Sequence, residues 1–206
     1  MFCCFLFTLG ANNRYLTKSM EKKLVISALG TDRPGIVDEL SKIIYQHALH
    51  IEDSRMTVLG GEFAILLLIS GSQKAVTALQ LQVENIEEAL QMRLLLKPTT
   101  ESTHLKNTMP YSVEVAALDH PGVVSNIASF FSSRAINIVN LQTERYAAPH
   151  TGTPMFAVHL TIGIPAETNI TQLREEFAET CDRLNLDAEL SSIQFPLDQV
   201  QHGKHR

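Results

Sequence analysis

The chain repeats itself, and this constrains it more than any other feature. Displaced by 87 residues, Asp32-Arg33-Pro34-Gly35-Ile36-Val37 falls on Asp119-His120-Pro121-Gly122-Val123-Val124. From Asp32 to Asp53, 22 positions align without a gap on Asp119 to Asn140, and six of them are identical. Leu40/Ile127, Ile43/Phe130, Ile44/Phe131 and Leu49/Ile136 keep their apolar character. A unit written twice in 206 residues means two small cores rather than one large one.

Periodicity gives the order of elements in each copy. Copy one opens with a strand at Lys23–Leu29, followed by the turn through Gly30-Thr31-Asp32-Arg33-Pro34-Gly35. Ile36, Val37, Leu40, Ile43, Ile44 and Ala48 then recur at helical spacing. A strand at His50–Leu59 ends in Gly60-Gly61, a hairpin signal, and Phe63–Ile69 is an unbroken apolar strand. After the break at Gly71-Ser72, Val76, Leu79, Val83, Ile86 and Leu90 predict one second helix, and Arg93–Lys97 a last strand stopped by Pro98. Copy two predicts strands at Tyr111–Leu118, Asn137–Tyr146, Met155–Ile164 and Ala188–Phe195, with helices over Gly122–Ala135 and through Ile170, Leu173, Phe177, Cys181 and Leu184. Each copy is thus βαββαβ, a ferredoxin-like unit with two helices on one face of an antiparallel sheet, and the fold class is α+β. The Phe63–Ile69 run is apolar on both faces, which predicts a neighbour over part of the second face or a junction between the two sheets.

The expected domains are 20–97 and 109–197, with a polar linker at 98–108 and a tail at 198–206. Residues 1–19 stand outside this pattern. They read either as sequence upstream of a translation start at Met20 or as a short docking segment. Lys plus Arg is 17 against 22 Asp plus Glu, a net charge of −5. This argues against direct grip on nucleic acid, and no basic recognition helix is visible. Three cysteines make no disulfide framework, which points to a reducing, cytoplasmic setting. No apolar run reaches the length of a membrane span. The histidines, among them His47, His50, His104, His150, His202 and His205, show no metal-ligand spacing, and no metal or cofactor is expected.

The two Asp-x-Pro-Gly turns are the candidate sites: Asp32, Arg33, Pro34, Gly35 and Ile36 in copy one, and Asp119, His120, Pro121, Gly122, Val123 and Val124 in copy two. Free amides and the dipole at a helix start take a carboxylate, and the Asp carboxylate takes an ammonium group; together they suit a zwitterion better than a phosphate. The competing reading is purely structural, with the Asp capping the helix and no ligand involved. A phosphatase reading of this fold needs an Arg in the loop after the first strand. Arg33 is so placed, but copy two has His120 there, and Asp32 opposes an anion.

A βαββαβ unit whose first strand runs through D-R-P-G or D-H-P-G into a helix resembles the ACT domain, and the resemblance covers both copies. It implies a non-enzymatic regulatory module that binds amino acids at interfaces between paired copies. In ligand-binding members an Asn before an Ile at the start of the second strand helps hold the amino acid. Copy two has Asn137-Ile138, and copy one departs from this with His50-Ile51. Tandem copies with no enzyme or DNA-binding domain attached resemble bacterial ACT repressors. That resemblance implies glycine as ligand and a DNA-binding activator protein as partner, with no direct nucleic acid; no membrane is expected as a partner, and the exposed sheet edges of such units offer a route to a homodimer. The alternative is a regulatory subunit that gives a metabolic enzyme amino-acid feedback control.

Overall fold

A computed structural model describes residues 21–100 and 107–193. The expectations for 1–19 and 198–206, and the end of the last strand at Phe195, lie outside these residues. The chain divides into two compact units.

The first unit runs β1 (Lys22–Thr31), α1 (Ile36–Gln46), β2 (His50–Leu59), β3 (Glu62–Gly71), α2 (Gln73–Leu81), α3 (Val83–Leu90) and β4 (Met92–Thr99). The second runs β5 (Thr108–Leu118), α4 (Val123–Ser132), β6 (Asn137–Ala147), β7 (Pro154–Pro165), α5 (Ile170–Arg183) and β8 (Asp187–Ser192). The sheets are antiparallel, ordered β2-β3-β1-β4 and β6-β7-β5-β8. The duplication therefore holds at the level of topology.

It holds in backbone detail as well. Gly35 and Gly122 take φ of +91° and +99°, and Ala48 and Ala135 both take +55°. The ladder shifts register between Ile51 and Asp53 in one sheet and between Ile138 and Asn140 in the other. Each of these pairs is 87 residues apart.

Each core lies between the helices and one sheet face. In the first unit Leu24, Ile26 and Ala28 of β1 and Phe63, Ile65, Leu67 and Ile69 of β3 meet Ile36, Leu40 and Ile44 of α1, with Val76, Leu79, Ile86 and Leu90 from the later helices. In the second, Val113, Val115, Val158, Leu160 and Ile162 meet Val123, Ile127 and the Phe130–Phe131–Phe177 ring cluster, whose centroids are 5.1–5.3 Å apart. Alternation along each strand and 3.6-residue spacing along each helix aim these side chains at one layer.

Two expectations need correction. The second helix of copy one is two helices: at Gln82 the backbone turns to φ −106°, and its amide donates to the Leu79 carbonyl one residue short of the helical partner. Buried Val76, Leu79, Ile86 and Leu90 keep one face across this break, so periodicity alone cannot register it. Pro98 does not stop the last strand; it pairs opposite Leu24 inside β4. β4 is an edge strand, where a residue without an N–H is tolerated. The Gly60-Gly61 hairpin forms as expected, with φ positive at both residues.

Candidate functional site

Each Asp-x-Pro-Gly turn joins the central strand of a sheet to the first helix of its unit. The turn is tied to the neighbouring hairpin through its Asp amide: Asp32 donates to the Gly61 carbonyl in the turn before β3 at 3.0 Å, and Asp119 to the Pro154 carbonyl at the start of β7 at 3.2 Å. The glycine is the N-cap and holds the left-handed conformation that bends the chain into the helix. The proline precedes the N-cap.

Neither helix start has a side-chain cap. The structural alternative, in which Asp32 or Asp119 caps the helix, is therefore not what the turns do. In the second unit Asp119 instead faces Arg145 of β6, with Oδ2 3.2 Å from Nε. The Asp119 side chain is about a quarter exposed and the Arg145 side chain about three quarters. His120 donates from Nδ1 to the Pro121 carbonyl at 3.0 Å.

A hollow of about 640 Å³ opens over this turn, lined by Asp119, His120, Pro121, Gly122, Val123 and Val124 together with Ser125, Arg145 and Phe156. All six residues singled out in the turn of copy two thus border one space. Arg145 and Phe156 escaped the sequence reading. The signal for Arg145 lies in the register: it pairs with Phe156 as Val58 pairs with Phe63, so it is the cationic replacement of a valine on the helix side of the edge strand.

Asn137 is not part of that hollow. It lines a smaller one of about 390 Å³ with Ser129, Ser132 and Ile138; Ser125 borders both spaces. Asn137 lies in register with Gly163 and, through it, Pro110, nine residues before Asp119. At about 3.3 Å per residue that separation exceeds the length of any amino acid, so no single small ligand touches both within one unit.

The first unit carries the same turn with different electrostatics. Asp32, Arg33, Gly35 and Ile36 border a hollow of about 490 Å³ with Val37, Asp38, Met56 and Phe63; Pro34 does not line it. Arg33 is turned onto Glu39 of α1 in a two-pronged contact, donating to its carboxylate oxygens at 2.7 and 2.6 Å. That bonding holds Glu39 below the ordinary carboxylate range and raises Arg33. Asp38 and Glu39 place two negative charges in the first turn of α1, whereas the first turn of α4 holds none. The dipole of α1 is thus already complemented by its own side chains, and that of α4 is not. The two first-turn positions are Ser125 and Asn126 in copy two.

Other residues flagged by sequence have ordinary structural places. His47 Nδ1 is 2.8 Å from the Ile43 carbonyl at the end of α1. Cys181 is buried in the second core, and desolvation pushes its thiol up to about 11. Among the described residues no three His, Cys, Asp or Glu side chains are grouped to hold a metal ion, and no helix is long and apolar enough to cross a membrane.

The family model for the ACT domain matches residues 22–97. The glycine cleavage system transcriptional repressor of Escherichia coli is 28% identical over 190 residues, spanning 91% of this chain and 99% of that protein. A UPF0237 protein of Pyrobaculum aerophilum is 32% identical over 72 residues, 35% of this chain and 80% of its own length. Among solved structures, one assigned to a glycine cleavage system transcriptional repressor superposes with a TM-score of 0.69 at 29% identity, covering 86% of this chain and all of that one. A protein of unknown function from Galdieria sulphuraria reaches the same TM-score at 24% identity, over 84% of this chain and 99% of its own, and shows the shared fold.

Proposed function

We propose, on the premise that the chain belongs to the ACT-domain family and carries two copies of that domain in tandem, that it is a non-enzymatic, glycine-responsive repressor of the glycine cleavage system. It acts by binding a DNA-binding activator protein rather than DNA. End-to-end likeness to a repressor of that system supports the regulatory role. The acidic balance of the chain fits a protein partner better than a nucleic acid.

The start of α4 carries the reading of where the ligand binds. It is uncapped, has no acidic residue in its first turn, and opens on a hollow bordered by one carboxylate and one guanidinium. A zwitterion fits all three features: its carboxylate meets the helix amides and Arg145, and its ammonium group meets Asp119. Asn137 takes part only from a second copy of the chain. The first unit has the same turn but a helix start already neutralised, so it serves as the weaker site or as a surface for protein contacts. Ligand binding biases the protein between states of different affinity for the activator, by no more than the ligand's own preference between them.

Calorimetry with glycine, alanine, serine and glycinamide tests the ligand. Saturable heat with glycine, lost with glycinamide, supports the site. No heat and no thermal shift with any amino acid at millimolar levels would leave a protein-binding role alone. Capture from lysate tests the partner: a helix-turn-helix regulator supports this reading, and a biosynthetic enzyme replaces it with feedback control.

A further inference from the structure

The outer face of the first sheet, turned away from its helices, is apolar where the corresponding face of the second is acidic. Its central row reads Arg55–Leu66–Ser27–Leu95 from β2 to β4, with Leu29 and Arg93 in the row above and Val25 and Lys97 in the row below. Leu29, Leu66 and Leu95 are 53%, 51% and 70% exposed. An antiparallel sheet facing water has no reason to carry such leucines. The matching row of the second sheet reads Gln142–His159–Glu114–Glu189, and Asp187 stands there for Arg93. The apolar stripe thus belongs to the first unit alone, and a basic margin goes with it. Arg93, its side chain 89% exposed, holds only a 3.4 Å contact to Glu87. Lys97 makes no ion pair among the described residues. On the opposite margin Arg55 is already engaged by Asp53, with Nη1 2.5 Å from Oδ1.

We propose that this face docks an amphipathic α-helix of a protein partner, with its apolar side chains on the sheet and carboxylates along the flank that lies over β4. The dimensions suit one helix. Three strand spacings make the face about 14 Å wide, and the stripe from Leu29 to Val25 runs about 13 Å along β1. A helix about 10–12 Å across, laid along the strands for two to three turns, covers that area. It adds a helical layer to the open side of a sheet whose other side already has one, so that both faces are buried. Charge then selects the sign of the helix. Glutamates or aspartates on the β4 flank meet Arg93 and Lys97, while the β2 flank, where Asp53 offsets Arg55, adds no net charge. A basic helix would set like charges against Arg93 and Lys97. The second unit refuses the acidic helix, because Asp187 and Glu189 hold the matching positions there. This inference rests on the reading that the chain works by binding a protein, and it does not depend on which amino acid is sensed.

Two synthetic fluorescent peptides of about 18 residues, five helical turns, test this against the full chain by anisotropy. Both carry leucines at i, i+3, i+4 and i+7 spacing; one has glutamate and the other lysine at the flanking positions. Saturable binding of the glutamate peptide is expected, with the lysine peptide about tenfold weaker or worse. Leu66→Ser and Leu95→Ser are each expected to weaken binding about tenfold while circular dichroism stays native, since both side chains face solvent. The double variant Arg93→Glu, Lys97→Glu is expected to reverse the preference between the peptides, and Arg55→Gln to change it less than about twofold. No binding of the glutamate peptide overturns the proposal. So does binding that is indifferent to Leu66→Ser and Leu95→Ser, or a peptide preference that survives the double charge reversal. Co-sedimentation with phosphatidylglycerol vesicles that is lost in Leu66→Ser, without peptide binding, would assign the face to a membrane instead. Neither glycine nor the activator enters these measurements, so their failure leaves the proposed function standing.

Discussion

Arg145 reaches from the end of β6 to Asp119 in the turn before α4, with Nε 3.2 Å from Oδ2. Among the described residues of the first unit no such pair is formed: Val58 occupies the matching place and Arg33 turns away to Glu39. As an exposed ion pair it contributes little to folding, which leaves both groups available to a ligand. Replacing Arg145 with valine is therefore expected to leave the melting temperature within about 1–2 °C and to weaken glycine binding about tenfold. Asp119→Asn is expected to weaken it by a similar factor, and Asp32→Asn by less than about twofold. Calorimetry on the three variants decides; equal losses from Asp32 and Asp119 would make the two units equivalent sites.

Gly122 is the second point at which the turn is exposed to test. A Cβ there meets nothing closer than the Asn126 side-chain amide at 3.9 Å, so space is not the obstacle. The obstacle is φ of +99°. Gly122→Ala is expected to cost about 1–2 kcal/mol and to lower the thermal transition of the second unit by several degrees. If ligand affinity falls further than stability does, the bend itself positions the amides.

Much of this was legible beforehand because local chemistry and the repeat agreed. The 87-residue spacing placed Gly35 with Gly122 and Ala48 with Ala135, and the backbone conformations match at each pair. The boundaries of β2 follow from His50 and the Gly60-Gly61 hairpin. Legibility ended where a feature depends on the register between strands. Arg145 is remote in sequence from Asp119, and only pairing through β7 brings it to the turn. Asn137 matched a sequence motif, but motifs carry no distance, and β6 runs it to the far end of the sheet. The break at Gln82 leaves the apolar spacing untouched and so leaves no trace in it.

The second unit contains a contact whose pH dependence has a definite sign. Arg134 donates from Nε and Nη2 to the Glu176 carboxylate at 2.9 and 2.8 Å, joining the end of α4 to α5. This bonding, helped by Gln172, holds Glu176 below its ordinary value of 4.5. A carboxyl lowered in the folded state contributes stability above that ordinary value and loses it as pH falls through the lowered one. Arg134→Gln is therefore expected to melt lower than the parent chain at neutral pH, with the gap narrowing below about pH 4. Part of the gap survives in acid, because Arg134 also lies 3.8 Å from the centre of the Phe130 ring and donates to the Phe130 carbonyl. A gap that widens in acid would reverse the assignment.

Cys181 gives a probe of the second core that needs no substitution. It sits 4% exposed beside Phe177 and Leu173, and burial raises its thiol to about 11. Only the thiolate attacks an alkylating reagent, so at neutral pH the folded unit holds Cys181 both hidden and protonated. Iodoacetamide is expected to leave it unmodified in the native chain and to modify it on global unfolding in denaturant. Phe131→Ala should couple the two: emptying a wholly buried ring site costs about 3–5 kcal/mol, and labelling of Cys181 should quicken as the core opens more often. Mass spectrometry locates the adduct. Rapid native labelling would place Cys181 at the surface, and labelling unchanged by Phe131→Ala would mean that the thiol is reached by local fraying of α5 instead.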